Sequence, residues 1–494
     1  ENTIAHELFH HWFGDLVTSE SWSNITLNES FANYSEYLWR EHKYGKLDAD
    51  MHLFEDIEAY KNGQNSDKHL VRFNYSDKED MFDLVSYNKG GAILHMLRNY
   101  VGDEAFFLGL KTYLLENKYK AAEVHQLRLV FERITGKDLN WFFNQWYFDA
   151  GHPKIDVSYD YNTIQKKVTV NLQQLNVTEF QFPLAIDIYE NEKKTRHNVF
   201  VDGVDASFTF SYQEQPTLIQ INADGVLLCE ISENKVLSDY IFQLKNADNY
   251  AHRRMALLEV AKKQEEKLAF NAVVNAMSDA SYEIRILALE KIDLINKFSK
   301  KNAIQKIMKI ANTDEKTLVQ AAAIETLGKL TDLELKGIFA KGLESKSYSV
   351  IGKSLVAMYY VDKQQAIKKS RALPDAIRKI LATPLTRIYI EEKDEKELPF
   401  ISKSVLSGMF LTGDDATKAI YQKAFTQISE SNNSEAIQNL VNDMVVKGTQ
   451  YKSFNFDKVV INLMRRMVQD QKTKNTLNRT KNTAIIKEAM AKLL

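Results

Sequence analysis

Cysteine is all but missing from this sequence. Cys229 stands alone among 494 residues, so no disulfide can staple the chain, and any metal it binds must be held by histidine and carboxylate side chains. Proline is scarce too. Six occur, none before Pro153, which leaves the first third without the residue that most strongly interrupts a helix. No apolar run reaches the roughly 18 residues that a membrane-spanning helix requires, and the basic-then-apolar opening of a signal peptide is lacking. An excess of charge of one sign is lacking as well. With 64 Lys+Arg against 66 Asp+Glu the net charge is -2, which gives no general reason to bind nucleic acid or an anionic membrane. We therefore expect neither partner, and a monomeric chain; the compartment stays open.

What is present is apolar material in quantity, 44% of the residues, spread over a length that exceeds a single core and calls for about two to four domains. Three textures divide it. All five tryptophans lie between Trp12 and Trp146, in a stretch whose apolar residues recur at helical spacing, as in Ile93, Leu94, Leu97 and Tyr100. Gly151-His152-Pro153 closes that stretch. The period then drops to two, in Ile155 to Tyr159, Val168 to Leu172, Leu184 to Ile188, His197 to Val201, Ser207 to Phe210 and Leu218 to Ile221, the pattern of short strands in a small sandwich. Beyond about Ser238 helical spacing returns and repeats. Ile284 with Ala288 and Ile292 matches Val319 with Ala323 and Leu327, 35 residues on, and Val350 marks a weaker third copy. Stacked helix pairs of the HEAT or armadillo kind produce such a period, and an irregular helical bundle is the alternative. The expected fold is mainly α with a β domain, divided at residues 1–152, 153–236 and 237–494.

The chemistry is concentrated at the start. In His6-Glu7-Leu8-Phe9-His10 the two histidines stand four apart, one above the other on a helix, and direct both imidazoles at one ion. Glu7, one step round, is poorly directed for the metal but well placed to touch water bound there, the position of a general base. A third ligand follows His10 after 18 intervening residues: Glu29, within Asn28-Glu29-Ser30-Phe31-Ala32. Two histidines and one glutamate leave a fourth coordination position for water, as in catalytic rather than structural zinc sites. One Zn2+ per chain is expected. His11 points about 100° away from His10 and is read as a bystander, while His95, His125 and His152 are read as packing or surface residues.

These residues resemble the zinc aminopeptidase N family of gluzincins. His6 to Asp15 is similar to the family's HExxHxWFG helix and Asn28 to Ala32 to its NEGFA segment, with Ser30 where glycine is usual. Tyr87-Asn88-Lys89-Gly90 resembles the family's Y-x-K-G, and Trp141 to Pro153 the segment that closes its catalytic domain. The resemblance implies the helical half of a thermolysin-like catalytic domain, then a β-sandwich and a HEAT-like helical domain. It also implies that Tyr87 stabilises the oxyanion.

The family's G-x-M-E-N segment, which grips the free amino terminus of a substrate, has no counterpart here, and neither does the family's first β-rich domain. The chain therefore reads as a carboxy-terminal fragment, expected to be weakly active or inactive by itself. For the intact protein the expectation is removal of amino-terminal residues from peptide substrates through a zinc-activated water, with Glu7 as base. A zinc epoxide hydrolase of the leukotriene-hydrolase type and a non-enzymatic peptidase-fold scaffold are the alternatives. The strand region disfavours the first, and the intact His6, Glu7, His10, Glu29 and Tyr87 disfavour the second.

Overall fold

The computed structural model describes residues 1–63, 65, 67–295 and 300–494. It divides into two compact units, Glu1–Phe298 and Ser299–Leu494. The expected passage from helix to strand near residue 152 and the return near residue 236 both lie within the first unit, and one core cluster runs across the first of them, from Phe13 to Cys229.

The first unit opens with α1 (Asn2–Phe9) and a turn through Gly14 into β1 (Val17–Ser19). Then come α2 (Thr26–Tyr44) and α3 (Lys46–Asn62), separated by Gly45 at φ 91°, a conformation that only glycine adopts without strain. A five-residue π-helix, Val85–Lys89, runs directly into α4 (Gly90–Val101). α5 (Asp103–Asn117), β2 (Lys120–Ala122), α6 (Val124–Thr135) and α7 (Asn140–Tyr147) complete the helical part. Sequence periodicity predicts helix throughout this stretch, and the structure corrects that expectation in two places: the described residues between Gly63 and Leu84 form bends and one short 3-10 turn, Lys78–Met81, and β1 and β2 pair in parallel, Val17 opposite Lys120. At three residues each they are too short to display an alternating pattern.

The centre of this part is aromatic. Phe13 and Phe31 stack at 4.1 Å, with Tyr113 against Phe13 at 6.1 Å, and all three are buried. Each buried phenylalanine contributes about 1.5–3 kcal/mol, so this stack ties the turn after α1 firmly to α2.

The strands follow the period-two segments. β3 (Lys154–Asn162), β4 (Lys167–Gln174), β5 (Phe182–Glu190), β6 (Lys193–Val201), β7 (Asp205–Ser211), β8 (Leu218–Ile221) and β9 (Glu230–Glu233) form a four-stranded sheet of order β7-β4-β3-β9 and a three-stranded sheet of order β6-β5-β8. Val157, Val168, Val170 and Leu172 of one sheet share a core with Leu184, Ile186, Ile188 and Ile221 of the other. That core is continuous with the helical one through residues such as Trp146 and Phe180, whose rings lie 5.3 Å apart. β9 escapes sequence reading because it runs parallel to β3 and carries little apolar material. Four helices, α8 (Leu237–Asn246), α9 (Tyr250–Ala261), α10 (Lys267–Ala276) and α11 (Tyr282–Lys291), end the unit. The second unit is helical among its described residues, from Lys300–Thr313 to Arg479–Ala491. No described helix is long and apolar enough to cross a membrane.

Two histidines of the first unit make the fold sensitive to acid. His95 on α4 meets the Tyr34 hydroxyl at 3.0 Å, and burial lowers its pKa to about 3, with Lys46 and Arg98 adding to the effect. His252 on α9 lies 2.8 Å from the Asn222 carbonyl; burial lowers it to about 4 against the opposing pull of that carbonyl. An unfolded histidine titrates near 6.5, so below that pH the unfolded chain takes up protons that the folded one refuses, and stability falls as pH falls. Carboxylates titrate in the same range, so a difference between proteins isolates one group. His252→Gln cannot charge, and its stability deficit relative to the parent should narrow by about 2 kcal/mol between pH 6.5 and 4.5. Urea unfolding at both pH values measures it, and a constant deficit would show that His252 titrates normally in the fold.

Candidate metal centre

The four-residue spacing on α1 brings the two imidazoles together, with ring centroids 5.0 Å apart and planes nearly perpendicular at 83°. Each ring is held by its outer nitrogen. His6 Nδ1 lies 3.1 Å from Glu36 Oε1, and His10 Nδ1 lies 3.1 Å from the carbonyl of Phe13. Metal binding through Nε2 requires the ring hydrogen on Nδ1, and at that nitrogen each ring has an acceptor to receive it. Both Nε2 atoms lie 3.5 Å from Oε2 of Glu29, in the first turn of α2. One ligand atom from each of His6, His10 and Glu29 falls within 4.8 Å of the others. Two imidazoles and one carboxylate, partly buried and mutually aimed, suit a divalent cation of zinc's softness.

Without a cation the three groups share protons. At His6, burial works against the imidazolium, but Glu29 and Glu36 outweigh it and raise the pKa to about 9. His10 is raised chiefly by Glu29, with burial opposing. Burial also works against the charged form of Glu29, yet the flanking His10 and His6 lower it to about 2. The pocket between them is therefore built for positive charge, whether protons or metal.

Tyr87 lies against His6. Its ring stacks on the imidazole at 5.8 Å and 11°. Burial first, and then the Glu29 carboxylate, push the phenol well above its ordinary value, so it stays a hydrogen-bond donor. Glu7 is exposed, near enough to Tyr87 for its charge to act on the phenol, and among the described residues it has no hydrogen-bond or ion-pair partner, which leaves its carboxylate free to meet a water. His11 turns away to Asp15 Oδ2 at 3.1 Å. His125 stacks on Phe148 at 4.9 Å, and His152 is buried between Tyr60 and Glu230.

Two residues that sequence reasoning passed over belong to this centre. Glu36 stands seven after Glu29, two turns along the same face of α2, a signal available from spacing alone. It meets His52 Nε2 at 3.2 Å as well as His6; burial opposes its charge, but His52 and His6 lower its pKa to about 2. Ser30 is the second. Its hydroxyl donates to the Ser86 carbonyl at 2.7 Å, linking α2 to the π-helix. Gly90 makes room for it, since a Cβ there would come within 1.8 Å of Ser30 Oγ. Glu36→Gln removes the carboxylate that orients His6, and zinc affinity, measured by competition with a chelator, should fall about 10–100-fold. Unchanged affinity would show that the orientation comes from elsewhere.

Residues 1–146 match the model of the Peptidase family M1 domain. The Tricorn protease-interacting factor F2 of Thermoplasma volcanium is 35% identical over 192 residues, 37% of this chain and 24% of that protein. The aminopeptidase N of Streptomyces lividans is 34% identical over 173 residues, 32% of this chain and 20% of that protein. The matched stretch thus spans about a quarter or less of these relatives' length. A crystal structure of Legionella pneumophila aminopeptidase A with aspartic acid has a similar fold, with a TM-score of 0.57 at 15% identity, over 99% of this chain and 65% of that one.

Proposed function

We propose, since this chain belongs to peptidase family M1 through its first 146 residues, that it carries the catalytic centre of a zinc aminopeptidase. The observation that supports this best is the convergence of His6 Nε2, His10 Nε2 and a Glu29 carboxylate oxygen within 4.8 Å, with Glu7 and Tyr87 beside them. His6, His10 and Glu29 would hold the zinc. When bound, the ion supplies Lewis acidity, acidifying water and polarising the carbonyl of a peptide bond. Glu7 takes the proton of the attacking water and hands it to the leaving amine. Tyr87 donates its hydroxyl hydrogen to the carbonyl oxygen as that oxygen gains negative charge. The substrates in this reading are peptides with a free amino terminus.

The same reading assigns residues 1–152 to the helical part of a thermolysin-like catalytic domain, 153–236 to a β-sandwich and 237–494 to a HEAT-like helical domain. Ile284, Val319 and Val350 support the last assignment. Each is the third residue of its helix, in Tyr282–Lys291, Thr317–Gly328 and Tyr348–Val361, and each is buried.

Hydrolysis of an aminoacyl-anilide tests the proposal. Cleavage should disappear with a chelator, return with zinc, and fail when the substrate's amine is acetylated. Equal cleavage of the acetylated substrate would make the enzyme an endopeptidase and overturn the aminopeptidase reading.

A further inference from the structure

A π-helix is an uncommon turn, wider than an α-helix and usually confined to single turns at functional sites. The one at Val85–Lys89 carries Tyr87 and is held from several directions. Before it, Asp83 Oδ1 accepts from the backbone N–H groups of Val85 and Ser86 at 3.0 and 3.1 Å. Beneath it, Ser30 donates to the Ser86 carbonyl. Beyond Tyr87, Asn88 Nδ2 donates to Asp56 Oδ1 on α3 at 2.8 Å.

That last contact stands at one end of a chain of neighbouring charged and polar groups. Asp56 Oδ2 lies 3.9 Å from His52 Nε2, one turn back on α3. The same His52 nitrogen lies 3.2 Å from Glu36 Oε2, and Glu36 Oε1 lies 3.1 Å from His6 Nδ1. The His6 ring then stacks on Tyr87, the neighbour of Asn88. His52, Asp56 and Glu36 keep only 10%, 14% and 15% of their side-chain surface exposed, so water does little to weaken these contacts. A series of neighbouring polar groups therefore begins at a metal-site imidazole, passes through α2 and α3, and returns beside the tyrosine whose ring stacks on that imidazole.

We propose that Asn88, through Asp56, is a positioning residue that holds the Tyr87 hydroxyl in register with the His6, His10 and Glu29 centre. The side-chain hydrogen bond of Asn88 goes to Asp56 and not to a metal ligand. Its role is to fix the turn on which Tyr87 rides. The catalytic consequence rests on the function proposed above, but the placement of Tyr87 does not, and the two can be measured separately.

The placement is read in the full chain with 3-fluorotyrosine at position 87. In the parent the fluorine resonance should be single and should shift on addition of zinc. In Asn88→Ala it should broaden or split, while zinc affinity by chelator competition stays within about twofold. Asp56→Ala should behave as Asn88→Ala does, and Asp56→Asn should restore the parent spectrum, because its carbonyl oxygen still accepts from Asn88.

In turnover, Asn88→Ala should lower kcat about tenfold with KM within about twofold. In a Tyr87→Phe background it should change kcat less than twofold, since the group it positions is gone. A parent-like fluorine spectrum for Asn88→Ala overturns the proposal, and so does an equal loss of kcat in both backgrounds. Absence of zinc-dependent cleavage of an aminoacyl-anilide by the parent would sink the peptidase reading instead, leaving the fluorine result to stand or fall by itself.

Discussion

Glu7→Gln should retain zinc at one ion per chain and lose turnover by about 10²–10⁴-fold, the usual range for removal of a positioned general base. Glutamine has nearly the shape of glutamate and cannot accept the proton. Glu7 is exposed and has no partner among the described residues, so neither packing nor an ion pair is lost, and stability should stay within about 0.5 kcal/mol of the parent. The ligand atoms of His6, His10 and Glu29 are held by Glu36, Phe13 and α2, none of which the substitution touches. The comparison is kcat on an aminoacyl-anilide together with zinc content measured on the same preparations. Parent-like kcat in a zinc-replete variant would falsify the assignment of Glu7 as base.

How much of this centre can be read in advance follows from the length of each signal. His6 and His10 are legible because a four-residue spacing means one helical face wherever it occurs, and Glu29 because a zinc site with two histidines lacks a ligand. The strands β3, β4, β6 and β7 announce themselves because each alternates over four or more residues, whereas β5 and β8 are buried along almost their whole length. The pair β1–β2 leaves no such trace, being three residues long and paired across about a hundred residues of sequence. Composition also hides the division at residues 298 and 299, since helices of similar texture lie on both sides. The π-helix at Val85–Lys89 is invisible for a different reason. One extra residue per turn changes no apolar period, and it is stabilised from outside, by Asp83, Ser30 and Asn88. Tyr87 is therefore known beforehand only through the Y-x-K-G resemblance, whereas the reason it faces the metal centre is tertiary.

Tyr87→Phe should lower kcat about 10²–10³-fold and leave KM within about twofold. The ring that stacks on His6 is retained, so the imidazole keeps its neighbour and zinc affinity should change little. Only the hydroxyl is lost, and with it a donor aimed at charge that develops in the transition state, an interaction worth about 2.7–4 kcal/mol in comparable oxyanion sites. Because a ground-state carbonyl is a much weaker acceptor than the oxyanion, the loss falls on kcat rather than on substrate binding. Burial and the Glu29 carboxylate keep the phenol protonated, so the parent's advantage over the variant should persist, undiminished, as pH rises to about 9. An advantage that vanished in mildly alkaline solution would mean an ionised phenol and a different donor, and a change confined to KM would make Tyr87 a substrate-binding residue.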